Sequence, residues 1–313
     1  TFLALSLIAG QLLAQEKTNS KSELKLPELS KDQYLGLSFN FYDLETELFS
    51  NVNRERYLLK PNGNSYYALS SAYKGLGLSV AFPTAEKSFE EYEATKSQDY
   101  QLSFNFSHLN LEIYHQNHRG LLIDQNLSTI GFSPDLKARR QAIKLTYFQE
   151  KKYLNGAKGD YFANRYKEKS GGYVDSSVSY SLIYDRYSLQ GLDSKASRSL
   201  IASSILNGLE NYQVDSLGFE LGASLLLGYE QIFFQPQITL GPALQQFHYT
   251  ENGQENQKNK FGLSTSAGAI IGGFIGKHLL YFDFKYHSLS YTNPTLNAKH
   301  RSSGGGLGYK YFF

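Results

Sequence analysis

The chain has 313 residues, 31 Lys+Arg against 29 Asp+Glu for a formal net charge of +2, and no Cys, Met or Trp. The lack of Cys excludes disulfides, thiolate metal sites, Cys nucleophiles and lipoprotein anchors, and the balanced charge gives no electrostatic footprint for nucleic acid. Mean hydropathy is -0.41 without an apolar run long enough for a helical span, while 41% hydrophobic content with 25 Tyr and 21 Phe argues against disorder and leaves a large all-β protein.

Residues 1–14 (TFLALSLIAGQLLA) are uncharged and almost wholly apolar. They read as the apolar region and cleavage end of a signal peptide truncated at its start, with Ala14 before the cut. A buried strand or short helix is the competing reading. Residues 15–32 are polar and rich in Lys and Glu, as expected of a flexible lead-in, and residues 33–313 form the folded unit.

From there the chain alternates with period two, the pattern of strands whose two faces differ. The first segment is 33–42 (Leu35, Leu37, Phe39, Phe41), followed by a weaker one at 64–74 and a clear one at 75–83. Further segments are 99–107, 109–117, 139–149 and 172–187. In 215–229 the odd positions run Leu217, Phe219, Leu221, Ala223, Leu225, Leu227 and Tyr229, and the pattern restarts after Glu230-Gln231 as a hairpin partner over 231–245. Pro236 and Pro242 remove ladder donors there and predict a bend or bulge. Segments at 261–275, 279–290 and 301–313 complete 12 strands, each long enough for the roughly 9–11 residues that cross a bilayer on a tilt.

Short turns at Lys74-Gly75, Ser107-His108, Glu230-Gln231 and Gly276-Lys277-His278 alternate with long polar connections. Those are 43–63, 84–98, 118–138, 188–214, 247–260 and 291–300. The connection 150–171 breaks the rule and contains a possible strand pair around 153–166, so 14 strands is the alternative count. The fold class is therefore an all-β, antiparallel transmembrane β-barrel with short periplasmic turns and long outer loops. A soluble sandwich is the other all-β solution, but it wants Lys, Glu and Thr on its outer positions, whereas the second faces here are Gly, Ser, Gln and isolated charges. Tyr73, Tyr100, Tyr229, Tyr249, Tyr281 and Tyr311 are expected to form interfacial girdles.

Several stretches resemble a family of exported proteins of unknown function from Bacteroidetes-type bacteria. They are Lys60-Pro61-Asn62, the run Tyr73-Lys74-Gly75-Leu76-Gly77-Leu78, Tyr114-His115-Gln116 with Arg119-Gly120, and Phe162-Ala163-Asn164-Arg165 leading to Lys169-Ser170-Gly171-Gly172. Where the family has a small-Ala-Gly-Ser run, this chain has Ser170-Gly171-Gly172-Tyr173. The resemblance implies an outer-membrane barrel, and it implies no reaction and no ligand. The last residues, Leu307, Tyr309, Tyr311 and Phe313, share one face and end on an aromatic, resembling the signal that the barrel assembly machinery recognises.

No catalytic constellation stands out. His287 and Ser288 fall on opposite faces, Ser290 shares the face of Ser288, and no Gly-x-Ser-x-Gly elbow exists. His115 and His118, with His108 nearby, lack clustered carboxylates for a metal. Asp160, Asp185 and Asp193 have no His beside them in sequence for a rim protease. Parity points Glu112, Arg140, Lys144, Asp175, Asp185, Glu220, Gln235, Gln237, Asp283, Lys285 and His287 inward, away from lipid, where a charge at mid-depth costs about 2–4 kcal/mol. That polar wall is either a channel or a set of internal ion pairs filling the barrel. The glycines of 261–275 lean toward the filled case.

The expected function is that of a non-enzymatic outer-membrane barrel of a Gram-negative bacterium, a small passive channel or a structural or binding barrel. A barrel enzyme acting on membrane lipid or surface peptide, and a non-conducting subunit of a secretion or attachment complex, are the alternatives. No cofactor, metal or nucleic acid is expected. The partners are outer-membrane lipid, the barrel assembly machinery and an unknown surface partner.

Overall fold

The computed structural model describes residues 33–50, 54–63, 65–73, 76–84, 89–106, 109–126, 128–149, 172–201, 209–229, 231–292 and 296–312. Among them thirteen strands form one antiparallel sheet. They are β1 (Tyr34–Ser50), β2 (Arg56–Pro61), β3 (Ser65–Tyr73), β4 (Leu76–Pro83), β5 (Lys96–Phe106), β6 (Leu109–Gln125), β7 (Ser128–Phe148), β8 (Gly172–Gln190), β9 (Leu209–Tyr229), β10 (Ile232–Glu251), β11 (Gln254–Ile275), β12 (His278–Thr292) and β13 (Leu296–Phe312). A short helix, α1 (Lys195–Leu200), sits between β8 and β9.

The sheet closes because β1 pairs with β13 along its whole length, from Tyr34↔Phe312 to Ser50↔Leu296. β1 and β3 through β13 make a ring of twelve, the expected number. The proposed strand pair at 153–166 lies outside the described residues.

β2 is a strand that alternation did not reveal. It runs antiparallel to β1 in nearly the register that β3 continues, so β2 and β3 are two parts of one descending strand, split at Asn62-Gly63. Below the split, β3 pairs with β4 and the hairpin β4–β5 reaches β6. Above it, β2 pairs directly with β6 through Tyr57↔Gln125 to Pro61↔Leu121. One strand there replaces three, so the ring of twelve at the turn end narrows to ten at the hairpin end.

The step is built from backbone that only a few residues accept. Gly63 and Gly120 hold φ of 105° and 80°, the left-handed region that glycine enters without a Cβ clash. Asn62, fully buried, ties the connection between β4 and β5 to this fork. Its Nδ2 donates to the carbonyls of Phe89 (3.1 Å), Tyr92 (3.3 Å) and Glu93 (2.9 Å), and its Oδ1 accepts from the Phe89 amide (2.9 Å). The Asn62 amide donates to Thr95 Oγ1, which in turn donates to the Gly120 carbonyl. Thus 89–95, within the connection 84–98 expected as a solvated loop, is anchored, although Glu90, Glu91 and Glu93 are largely in solvent.

The exterior carries a belt of exposed apolar side chains at the turn end, from Leu217 to Tyr229 on β9 and from Ile232 to Leu244 on β10, with Leu35 to Phe41 on β1. A continuous apolar surface of that height has no place in water and matches the span of a bilayer. This is a membrane-spanning barrel. Tyr73, Tyr229 and Tyr311 lie at its turn-end edge and Tyr100 at the other, all facing out. Tyr249 and Tyr281, expected in the girdles, instead pack against interior clusters, because they share the parity of the inward face.

Above the belt the strands continue. The expected loops 118–138 and 247–260 are mostly strand: β6 runs to Gln125, β7 starts at Ser128, and β10 and β11 meet across Asn252-Gly253. Both turn residues have positive φ (51° and 73°), as a type I′ hairpin requires. Pro236 and Pro242 interrupt the ladder to β9 without shifting its register, so the expected bulge is absent.

Replacing Asn62 by Ala removes the side-chain bonds that pin 89–93 and should cost about 2–3 kcal/mol at roughly 1 kcal/mol per net bond. The expected result is cleavage by a Glu-specific protease at Glu90, Glu91 or Glu93 in a barrel that still shows heat-shifted gel mobility.

Candidate functional site

Strand parity puts one side chain in two inside the ring, and the interior sorts into layers. The turn end is floored by an aromatic cluster. Tyr34 lies 5.7 Å from Phe312 and Phe274 6.1 Å from both Phe312 and Phe233, centroid to centroid, with the Lys310 ammonium 4.1 Å above the Tyr34 ring. The hairpin end holds a second apolar cluster that includes Leu48, Tyr57, Leu59, Ile123, Leu136, Leu189 and Val214. Leu192 and Ile201, flanking α1, close it from above. Ser194 caps α1 by accepting from the Ser197 amide, and Ser197 Oγ, 2.8 Å from Ser133 Oγ, ties the helix to β7.

Between these clusters lies the polar belt. Lys144 Nζ donates to Glu220 Oε2 at 2.9 Å, and Glu220 also accepts from Ser264 (2.5 Å) and Thr239 (3.1 Å). Glu220 on β9 reaches Ser264 on β11 across Gly241, which lies opposite Ser264 on the strand between and has no room for a Cβ against the β9 backbone at Phe219. Arg140 grips Asp185 through Nε and Nη2 (2.9 and 2.6 Å), and His287 Nε2 stands 3.6 Å from the same carboxylate. Gln101 donates to Glu112 at 3.2 Å, and Gln235 to Ser224 at 3.4 Å. Asp283, Lys285 and Gln237 share the inward parity, Lys285 and Gln237 keeping contact with solvent. The Asp175 side chain lies outside those described. The belt is mostly occupied with itself: carboxylates meet cations and hydroxyls of the same wall, which is how a buried charge escapes its desolvation cost.

The most informative contacts cross the barrel. Thr46 Oγ1 on β1 and Tyr187 Oη on β8, on opposite sides of the ring, are 2.5 Å apart. The His300 ring on β13 packs tilted by 32° against Tyr187 at 3.5 Å between centroids, with Nδ1 3.1 Å from Thr46 Oγ1 and Nε2 3.4 Å from Tyr212 Oη. These four residues bolt four strands, β1 and β13 on one side and β8 and β9 on the other, together beneath the outer apolar cluster. Single-strand alternation could not find them, because each partner is distant in sequence and meets the others only once the ring closes.

Two further constellations were missed. On the inner face, Ser97 Oγ and His118 Nδ1 are 2.8 Å apart, with Tyr66 Oη 3.3 Å from Ser97. No described carboxylate orients His118, and both residues are buried, so the pair lacks the third member and the access that a nucleophile needs. On the outer face above the apolar belt, Asp215 accepts from Tyr184 (2.5 Å), Arg186 (2.6 Å) and Gln213 (2.7 Å), and His248 stands 3.8 Å away. His115 faces outward, stacked on Tyr100, and His118 inward; among the described residues no group of three metal-ligating side chains gathers. Asp193 is exposed, and Asp160 lies outside the described residues. Leu307, Tyr309 and Tyr311 are exposed on the outer face, while Phe313 lies outside the described residues.

No family model matches the sequence, and no curated protein matches it either. Among solved structures the chain is similar to the outer membrane protease OmpT from Escherichia coli, at 7% identity over 93% of this chain and 100% of that one, with a TM-score of 0.39. It is also similar to Neisserial surface protein A (9% identity, 91% and 99% covered, TM-score 0.26) and to the β domain of the Bordetella autotransporter BrkA (11%, 90% and 99%, 0.33). These likenesses are too loose to carry a function across, and the architecture rests on the strand ladder itself.

Truncating one partner of the Lys144–Glu220 pair strands a buried charge. Lys144→Met alone should destabilise the barrel by about 3–5 kcal/mol, whereas Lys144→Met with Glu220→Leu should be near neutral. Urea midpoints of the detergent-folded barrel, read by heat-shifted mobility, check both.

Proposed function

We propose that this protein is a non-conducting, non-enzymatic outer-membrane barrel of a Gram-negative bacterium, a structural or binding barrel rather than a channel. The observation that carries the reading is the contact of opposite walls. Twelve strands lie between the eight that side chains fill and the sixteen or more that leave an aqueous pore, so strand number does not decide. The Thr46–Tyr187 bond and the close His300–Tyr187 contact across the interior support the closed reading, because a hydrated solute does not pass a section where the walls touch. Apolar clusters above and below the polar belt reinforce the seal.

In this reading the inward charges Arg140, Lys144, Asp185, Glu220 and His287 hold walls together and bind no solute. Leu307, Tyr309 and Tyr311 would serve recognition by the assembly machinery, and the hairpin end would face outward, with the chain termini and short turns toward the periplasm. What the protein offers its surroundings is then the outer surface of its hairpins.

In a planar bilayer the refolded wild-type chain should give no discrete openings, and Tyr187→Ala with His300→Ala should introduce leak current. Stable wild-type openings that change with Asp283→Ala or Lys285→Ala would replace this reading with a channel.

A further inference from the structure

Just above the apolar belt, the outer face of β5, β6 and β7 gathers cations in one register row. Lys96 lies opposite Arg119, and Arg119 opposite Lys137. Arg139 follows one pleat nearer the belt, opposite Asn117. All four point outward, since Ser97, His118 and Ala138 between them are buried on the inner side. Like charges directly opposite on paired strands destabilise a sheet, and here three stand in line.

Several other cations on this end of the barrel are paired with carboxylates. Arg56 and Arg301 share Glu47, Arg186 is held by Asp215, and Lys60 by Asp124. The row on β5 to β7 has no such partner among the described residues. Asp99 points inward to Gln116, and neither Glu93 nor Asp135 forms an ion pair with any of the four. Arg139 Nε and Asn117 Oδ1, on neighbouring strands, are buried without a hydrogen-bond partner.

The height of the row indicates its occupant. Tyr100, Gln141 and His115 form the last register line containing an exposed aromatic of the belt, and Arg139 lies two residues beyond it, about 7 Å along the strand. On a tilted strand that is about 5 Å of height, within the interfacial zone that flanks the hydrocarbon core by about 5–8 Å per leaflet.

We propose that Lys96, Arg119, Lys137 and Arg139 bind the phosphate of an anionic lipid in the leaflet on the hairpin side, its acyl chains lying on the apolar face of the same strands. The site rests on the membrane-barrel reading. The phosphate oxygens accept from the guanidinium forks and relieve the repulsion along the row, and the apolar belt below supplies the contact that a free ion cannot use.

The test is competition for the full-length barrel folded in detergent, offered equal dioleoyl phosphatidic acid and dioleoyl phosphatidylcholine, with retained lipid read by native mass spectrometry. The expected result is about a tenfold preference for phosphatidic acid, abolished in Arg119→Gln/Arg139→Gln and kept in Lys195→Gln/Arg198→Gln, which removes the same charge at α1. Excess inorganic phosphate should leave the adduct in place; displacement by it would mark a free-phosphate site and overturn the lipid assignment. Equal retention of the two lipids by the wild type, or equal loss in both variants, would also overturn it. Arg119→Gln alone should unfold at the same or higher urea when no anion is present, and a marked drop would make Arg119 a structural residue and sink the proposal. A chain that neither enters detergent nor shows heat-shifted mobility fails the membrane reading instead, on a separate readout.

Discussion

The ladder between β1 and β13 is the constraint on which the rest of the molecule depends. Once it closes the ring, no strand has a free edge and every second side chain is committed to a bounded volume. Lipid demands apolar groups outside, so the polar half of each strand has nowhere to go but in. The interior solves this by stratification. An aromatic-rich cluster fills one end, a mixed aliphatic and aromatic cluster with α1 fills the other, and the charges meet in the middle, where Glu220 finds Lys144 and two hydroxyls and Asp185 finds Arg140.

Such a belt is not an efficient source of stability, because much of what the ion pairs gain is lost in taking them out of water. It is better understood as a set of distance constraints. Arg140 fixes Asp185 with two bonds, and His287 approaches that carboxylate from β12. Thr46, Tyr187, His300 and Tyr212 do the same for β1, β8, β13 and β9. Groups that must find partners in a crowded interior permit few arrangements of the walls, and apolar packing alone would permit more.

Much of the barrel was legible in the alternation, since a strand between lipid and a polar interior must change character at every residue. The twelve ring strands, their order and the inward parity of Glu220, Lys144, Asp185 and His287 follow from that rule. The rule fails where its cause disappears. Beyond the belt the outer faces of β6, β7, β10 and β11 no longer meet lipid, although the inner faces of β6, β7 and β10 still pack on the hairpin-end cluster, so 118–138 and 247–260 read as loops while their backbones remain paired. β2 escaped because six residues containing the adjacent pair Leu58-Leu59 show no clean alternation. The wall-to-wall contacts were invisible for another reason. Parity turns Tyr187 inward, but Thr46, Tyr212 and His300 lie in stretches that read as connections (43–63, 188–214 and 291–300), and only the closed ring of strands brings them to Tyr187.

The split between β2 and β3 bears on how such a barrel changes girth. β3 and the turn-end half of β6 are similar in length, and the register that β2 holds with β6 would, if continued, bring Ser65–Tyr73 against the stretch from Leu109 onward to within a residue. The hairpin β4–β5 lies between two strands that already know how to pair, as an inserted panel does in a seam that is sewn shut above it. Circumference in this fold is thus a local property, added two strands at a time at one end, with Asn62 and Gly120 as the place where the seam opens.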